Sequence, residues 1–499
     1  MLKGFEERTM NAQLLANKPT INILLYTDDP ETTDDDGLFS LGTMIGHIQA
    51  HSPTFAKVII EIICRNKDTH ADNKLEAGLI NKYDEIWFFG FHQSNRKTFS
   101  LGVLRGGPES ELTEKEVLAL TDWMRRSGNG GGVLMTGDHS QEPPPDAVPS
   151  ENNLCPDTSS QEQFLGLGRA IGRCVPRAGR LRKWEGSPTY RPGDSFNTEV
   201  PVPGIDVESL RLQIDPTPQQ LILRHFDQGG QPAPDGQPHP LFFYKGKSWI
   251  RVFPDHAHEG AVVLPADADY SDKGTWPQVA AIQPRAQIVA FGIDERNCQL
   301  LNILAAYNGD GADVGRIVAD STWHHYLNIN LRNFGLPAPE GSAADQIGQY
   351  YSNLALWLSP RRIRQEMARV MFTWLATHPL MREEIYTDVS VIGATAYSIL
   401  STVASPCEIH ELLQASVPDQ YSEKFEALYF PERGFALSPL PSKELILGNV
   451  IREYQQEMIR AETSDGLIEA NKTTASVDTG CKRAFEDQAL QIRRIASEL

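Results

Sequence analysis

Four short apolar runs, Ile21–Tyr26, Lys57–Cys64, Asp84–Phe91 and Val133–Thr136, recur along the first third of the chain with polar or amphipathic segments between them. Runs of this length bounded by turn residues read as buried strands, and the segments between them as crossovers. Leu38–His51 has helical spacing. Thr113–Arg126 reads as an amphipathic helix, with Thr113 as N-cap and Glu116 as its capping-box partner. Strand alternating with helix predicts a doubly wound, mainly parallel α/β sheet with right-handed crossovers.

Beyond this region the pattern changes twice. From about 143 to 240 the sequence is rich in Pro, Gly, Asp and Ser and reads as a loop-rich insertion, with one expected helix at Gln161–Ile171. Strands are expected again at Pro240–Val252, Val279–Ile282, Gln287–Gly292 and Gly315–Asp320. After the linker LPAPEGSA, helical periodicity takes over at Gln346–Leu358, Arg361–Thr377, Val389–Val403, Glu408–Leu413, Ser442–Ala461 and Lys482–Leu499. The expected organisation is an α/β domain over 1–335 followed by an all-α domain over 336–499.

Composition narrows the function classes. A formal net charge of −19 disfavours a nucleic acid or an anionic membrane as partner, since both repel an acidic surface. The basic run Arg169–Lys183 keeps a local phosphate or carboxylate site open. Cys64, Cys155, Cys174, Cys298, Cys407 and Cys481 show no CxxC spacing and fit reduced thiols. The N-terminus lacks the apolar core of a secretory signal, and no apolar run approaches the ~20 residues that span a bilayer. The expectation is a soluble cytoplasmic protein, with the apolar faces of the C-terminal helices available for self-association.

Ligands in open α/β sheets gather at the carboxyl ends of the strands, so the polar residues at strand exits carry the functional reading. There are four such clusters. The first is Asp28 and Asp29 with the acidic loop Thr32–Asp36, where Asp28 follows the first strand directly and is a candidate substrate ligand. The second is Asp138, His139 and Ser140, at the end of GGGVLMTGDHSQ. The third, FPDHAHEG, holds Asp255, His256, His258 and Glu259. The fourth, DSTWHHYLNIN, holds Asp320, His324, His325, Asn328 and Asn330.

On extended backbone His256 and His258 share a face. With Asp255 they suit a divalent metal such as zinc or manganese, and equally a metal-free proton-transfer pair or a surface pair of imidazoles. All three readings stay open. His139, Asp138, His258, Glu259 and His324 are the candidate catalytic residues; Asp28, Ser140, His325 and Asn328 are candidate substrate ligands. Adjacent histidines diverge on helix or strand, so one of His324 and His325 is expected to enter a site. Cys64 also follows a strand, but with no paired His it reads as a buried apolar residue.

Two of these segments resemble a known group. GGGVLMTGDHS is similar to the glycine-led strand and His-containing turn of ThuA-like (trehalose-utilisation-like) proteins, within the class I glutamine amidotransferase-like superfamily. GRIVADSTWHHY resembles the closing strand and His-containing turn of the same group. The resemblance implies a flavodoxin-like sheet over about 20–335, with His139 matching the family's His. It departs from the amidotransferases at the elbow, where Asp138 and His139 stand in place of a Cys nucleophile. His258 and Glu259 therefore have no thiol to activate, and glutaminase activity is disfavoured.

Two functions are carried forward. One is a hydrolase or lyase acting on a small polar substrate through a His/Asp-rich pocket at the carboxyl edge of the sheet. The other is a non-catalytic binding or assembly protein that uses the same sheet as a scaffold.

Overall fold

The computed structural model describes residues 18–27, 30–33, 37–65, 74–89, 98–100, 103–105, 114–136, 219–226, 232, 236–245, 248–255, 262, 264, 270–271, 273, 276–278, 283–294, 299–332, 338–382, 388–417, 443–462 and 470–498. Its main sheet has eight strands: β1 (Thr20–Thr27), β2 (Lys57–Cys64), β3 (Glu85–Phe89), β4 (Gly132–Thr136), β5 (Ile222–Leu223), β6 (Gln287–Asp294), β7 (Gln299–Tyr307) and β8 (Ile317–Asp320). They lie in the order β2-β1-β3-β4-β8-β7-β6-β5. Pairing is parallel from β2 to β8 and antiparallel from β8 to β5.

The sheet is thus mixed rather than mainly parallel throughout. The difference comes from β7, QLLNILAAY, which sequence reading left out and which pairs antiparallel with both β6 and β8. The strand expected over Pro240–Val252 is also replaced. Pro240–Phe242 forms a short 3-10 turn, and only Val252–Phe253 is strand. Pro240 has no N–H for a ladder. His239 Nδ1 accepts from Leu241 N (3.3 Å), and Asn353 Nδ2 donates to the carbonyls of Leu241 (3.1 Å) and Phe243 (2.8 Å). Side chains satisfy the backbone that a sheet would have paired. The expected helix Gln161–Ile171 and strand Val279–Ile282 lie outside the described residues.

Strands β1, β3, β4 and β8 are buried on both faces, which is why they read as continuous apolar runs, whereas β2, at the edge of the sheet, exposes Lys57, Ile59 and Glu61. Ile21, Ile23, Leu25, Trp87, Phe89, Leu134 and Val318 face one core. Leu24, Tyr26, Ile86, Phe88, Val133, Met135, Ile317 and Ala319 face the other, beneath helix Glu114–Met124. Glu116 turns inward from that helix to pair with Arg65 beyond β2, Nη2 to Oε2 at 3.0 Å, both side chains buried.

The first core is shared with the helical C-terminal region. It contains residues of α1 (Gly42–Ala50) and, counting the helix Glu114–Met124 as α2, of α3 (Ala343–Leu358), α4 (Arg361–Thr377), α5 (Val389–Leu400), α6 (Pro406–Ser416), α7 (Lys443–Glu462) and α8 (Ala470–Glu498). Helix starts are marked by side-chain caps: Ser342 Oγ accepts from Asp345 N (3.2 Å), and Ser405 Oγ accepts from Glu408 N (3.1 Å). No helix among the described residues is long and apolar enough to cross a membrane. Cys64, Cys407 and Cys481 are buried and are not joined in disulfides among the described residues.

A buried charge cluster joins sheet and helices. Arg316, just before β8, pairs with Asp310 (2.7 Å) and Glu411 of α6 (2.5 Å), and Arg364 of α4 pairs with the same two carboxylates (2.6 and 3.2 Å). Burial opposes ionisation of Asp310, and the Arg316 and Arg364 guanidiniums override it, holding the carboxyl at about 2.

The glycines of GGGVLMT serve this same junction. A Cβ on Gly132 would stand 2.0 Å from the carbonyl oxygen of Leu358, at the end of α3, and one on Gly315 would stand 1.9 Å from Gly131 O. Both neighbours are backbone, which cannot rotate away. Gly132→Ala should therefore lower stability by about 1–3 kcal/mol or more through overpacking. Gly78→Ala, where nothing lies within 4 Å, should leave the urea midpoint nearly unchanged. Equal midpoints for the two variants would refute the close-approach explanation.

Candidate active site

The carboxyl edge of the parallel strands is also where the described polar residues meet. Strand β8 ends at Asp320, in register with Thr136 of β4, so both strands leave the sheet side by side. Thr322 is extended (φ −149°, ψ 144°), and its side chain accepts from His324 N (3.0 Å), starting a 3-10 turn over Trp323–Tyr326. A single helical turn, Asn328–Leu331, follows. This compact turn brings Asp320, His324, His325, Tyr326 and Asn330 within reach of one another.

Asp320 is fully buried and accepts from three donors: Thr322 N (3.2 Å), His325 Nδ1 (2.8 Å to Oδ1) and Tyr326 Oη (2.8 Å to Oδ2). The other ring nitrogen of His325, Nε2, lies 3.0 Å from the carbonyl oxygen of Asp255. A carbonyl only accepts, so Nε2 carries a hydrogen. A proton is then held between Nδ1 and the Asp320 carboxylate. The His325 carbonyl accepts from Tyr351 Oη of α3. Burial, then the Asp320 charge, raises the Tyr326 hydroxyl well above the ordinary tyrosine range.

His324 points elsewhere. Its Nδ1 lies 3.6 Å from Asp255 Oδ2, and its ring meets Phe39 edge-on at 6.4 Å. Its side chain is 12% exposed, against 1% for His325. The two histidines diverge as expected, with His325 directed into the scaffold and His324 toward the Asp255 carboxylate. Asn330 Nδ2 donates to Asp255 Oδ2 (2.9 Å) and to His324 O (3.0 Å), holding this pair in place.

Asn328, a candidate substrate ligand, is used as a clamp. Its Nδ2 donates to Gly37 O (3.0 Å) and its Oδ1 accepts from Thr43 N (2.8 Å), while its backbone N–H donates to Ser40 O (2.8 Å). The segment after β1 is thereby tied to the exit of β8. Asp255 is bonded by His325 and Asn330, and Val262 exchanges bonds with Asn302 of β7, N to O at 2.7 Å and Asn302 Nδ2 to Val262 O at 2.9 Å.

The structure therefore joins the fourth cluster to Asp255 of the third and sets the strand leading to the second beside it. Asp28, Asp138, His139, Ser140, His256, His258 and Glu259 lie outside the described residues. Among the described residues, no group of three or more His, Cys, Asp or Glu side chains is placed to hold a metal ion.

Sequence reading did not give Tyr326, Tyr351 or Phe39 a part in this constellation. Nothing short-range marks Tyr351, which arrives on α3 from the helical region. Ser321 Oγ, Trp323 Nε1 and Asn330 Oδ1 are buried with no hydrogen-bond partner among the described residues. Unsatisfied groups of this kind are uncommon in folded proteins and mark places that need a reason. No family model, curated protein or solved structure matches the chain.

Proposed function

We propose that the protein is an enzyme, a hydrolase or lyase acting on a small polar substrate at the carboxyl edge of the parallel strands. The observation that carries this reading is the approach of His324 Nδ1 to Asp255 Oδ2 at 3.6 Å, the imidazole 12% exposed and the carboxylate buried, on a turn fixed by the Asp320–His325 pair behind it. An imidazole beside a carboxylate can take and return a proton near neutral pH. His324 is the acid–base residue and Asp255 orients its ring. Asp320, His325 and Asn328 are positioning residues, since their polar atoms are committed to the scaffold.

Chain connectivity supports the wider site. Asp138 and His139 follow β4 by two and three residues, His256 and His258 follow Asp255 by one and three, and Asp28 follows β1. The strand order β2-β1-β3-β4-β8 agrees with a flavodoxin-like, doubly wound reading of the parallel part, with an antiparallel extension beyond it. Kinship with ThuA-like proteins rests on the two motifs alone.

The scaffold reading has one observation in its favour: His325 and Asn328 are spent on structure. The two separate by experiment. The wild-type protein is assayed on chromogenic esters, amides and phosphomonoesters, with dehydration of a hydroxy acid as the lyase arm. Turnover that falls about 10²–10⁴-fold in His324→Ala, with an unchanged circular dichroism spectrum, supports acid–base catalysis. Absence of turnover on every arm, or turnover indifferent to His324→Ala, overturns it in favour of a binding protein.

A further inference from the structure

A second histidine cluster lies away from the strand exits, in the seam between α1 and α3. His47 of α1 is completely buried, and neither of its ring nitrogens has a hydrogen-bond partner among the described residues. Its ring stands 6.2 Å from that of His51, the residue that caps the C-terminal end of α1, and 6.2 Å from the ring of Tyr351 on α3. The helices approach closely here. A Cβ on Gly348 of α3 would lie 2.4 Å from His51 Cε1 and 3.0 Å from His47 Nδ1.

A protonated His47 would have no acceptor in this seam. The carboxylate that faces it from α3 is Asp345, and both its oxygens are committed. Oδ1 accepts from His51 Nε2 (3.0 Å); Oδ2 accepts from Gly341 N (3.0 Å) and Tyr244 Oη, with Lys245 Nζ at 3.7 Å. The Tyr351 hydroxyl is committed to His325 O. The turn Asn328–Leu331, which also packs on α1, carries no titratable side chain. Both ring nitrogens of His51 are committed, Nδ1 to His47 O (3.0 Å) and Nε2 to Asp345 Oδ1, so His51 offers no acceptor either.

This seam leads to the candidate active site by two hydrogen-bonded routes. Residues 37–43, which run into α1, are clamped by Asn328, and Tyr351 holds the carbonyl of His325. We propose that the α1–α3 seam is a pH-sensitive latch: protonation of His47 releases α1 from α3 and loosens the 37–43 segment that borders the β8 exit. The neutral imidazole is what the closed seam accommodates, and an imidazolium must be hydrated by opening it.

The direction of the effect follows from linkage. Burial, then the His51 imidazole, lowers His47 from 6.5 to about 4, against a small upward pull from Asp345. A folded value below the open-state value means that the closed seam is fully favoured above pH 6.5. It is progressively lost between 6.5 and 4. With those two values the opening equilibrium at pH 5 should exceed that at pH 8 by about 30-fold.

Hydrogen exchange of the full-length protein, corrected for intrinsic rates, measures this directly. Peptides from α1 and from 37–43 should together lose protection by about 30-fold from pH 8 to pH 5 in the wild type. The same peptides should stay level in His47→Leu, and in His47→Gln should the leucine variant fold poorly. A parallel loss in wild type and variants assigns the titration elsewhere and overturns the latch. Opening of α1 with 37–43 still protected overturns its link to the site.

Discussion

Replacing Glu411 by Ala should be among the most damaging single changes in the protein, costing about 3–5 kcal/mol. Arg316 and Arg364 are each 1% exposed and share two carboxylates, Glu411 and Asp310. Two positive and two negative charges balance. Removing Glu411 leaves two buried guanidiniums on one carboxylate, and an uncompensated buried charge is far costlier than an absent pair. The damage should appear as a lower urea midpoint and as faster hydrogen exchange in α4 and α6. The double variant Arg364→Met/Glu411→Met restores the balance as one Arg316–Asp310 pair. It should unfold at a higher urea concentration than Glu411→Ala. If the double variant is the weaker of the two, charge balance is not what this cluster supplies.

That cluster also shows why part of the fold escaped the sequence. Arg316 and Glu411 are separated by 95 residues, and each alone reads as a surface charge. Elements with strong local signals were legible. β1, β3 and β4 are buried on both faces, and α4 was read at Arg361–Thr377, where it lies. β7 was not, because its apolar run follows β6 after a four-residue connection and its antiparallel pairing is set by neighbours rather than by its own pattern. Pro240 is the opposite failure. The apolar residues after it suggested a strand, but the carbonyls of Leu241 and Phe243 are taken by Asn353, more than a hundred residues later. In the candidate site, Asp255, His324 and His325 were legible as polar residues near strand ends. Their division of labour was not. It depends on which ring nitrogen meets which oxygen, on Asn330, whose partner Asp255 lies 75 residues away, and on Tyr351, whose contact exists only once α3 is docked.

Asp320 is the residue on which that division turns, and its variants should separate charge from hydrogen bonding. Asp320→Ala removes the acceptor for Thr322 N, His325 Nδ1 and Tyr326 Oη at a fully buried position. A loss of about 3–5 kcal/mol is expected, the cost of breaking a buried pair from one side. Asp320→Asn keeps one carbonyl oxygen and adds an N–H₂. Nε2 of His325 must still donate to the Asp255 carbonyl, so the neutral ring presents Nδ1 as an acceptor, which the new amide can fill. The asparagine variant should therefore recover much of the stability while releasing the proton held between His325 and residue 320. Nitrogen NMR of the imidazole reads this outcome. Nδ1 should move to the position of an unprotonated nitrogen in Asp320→Asn, and Nε2 should remain protonated in both proteins. An unchanged Nδ1 resonance would mean that the wild-type pair holds no such proton, and that His325 is neutral from the outset.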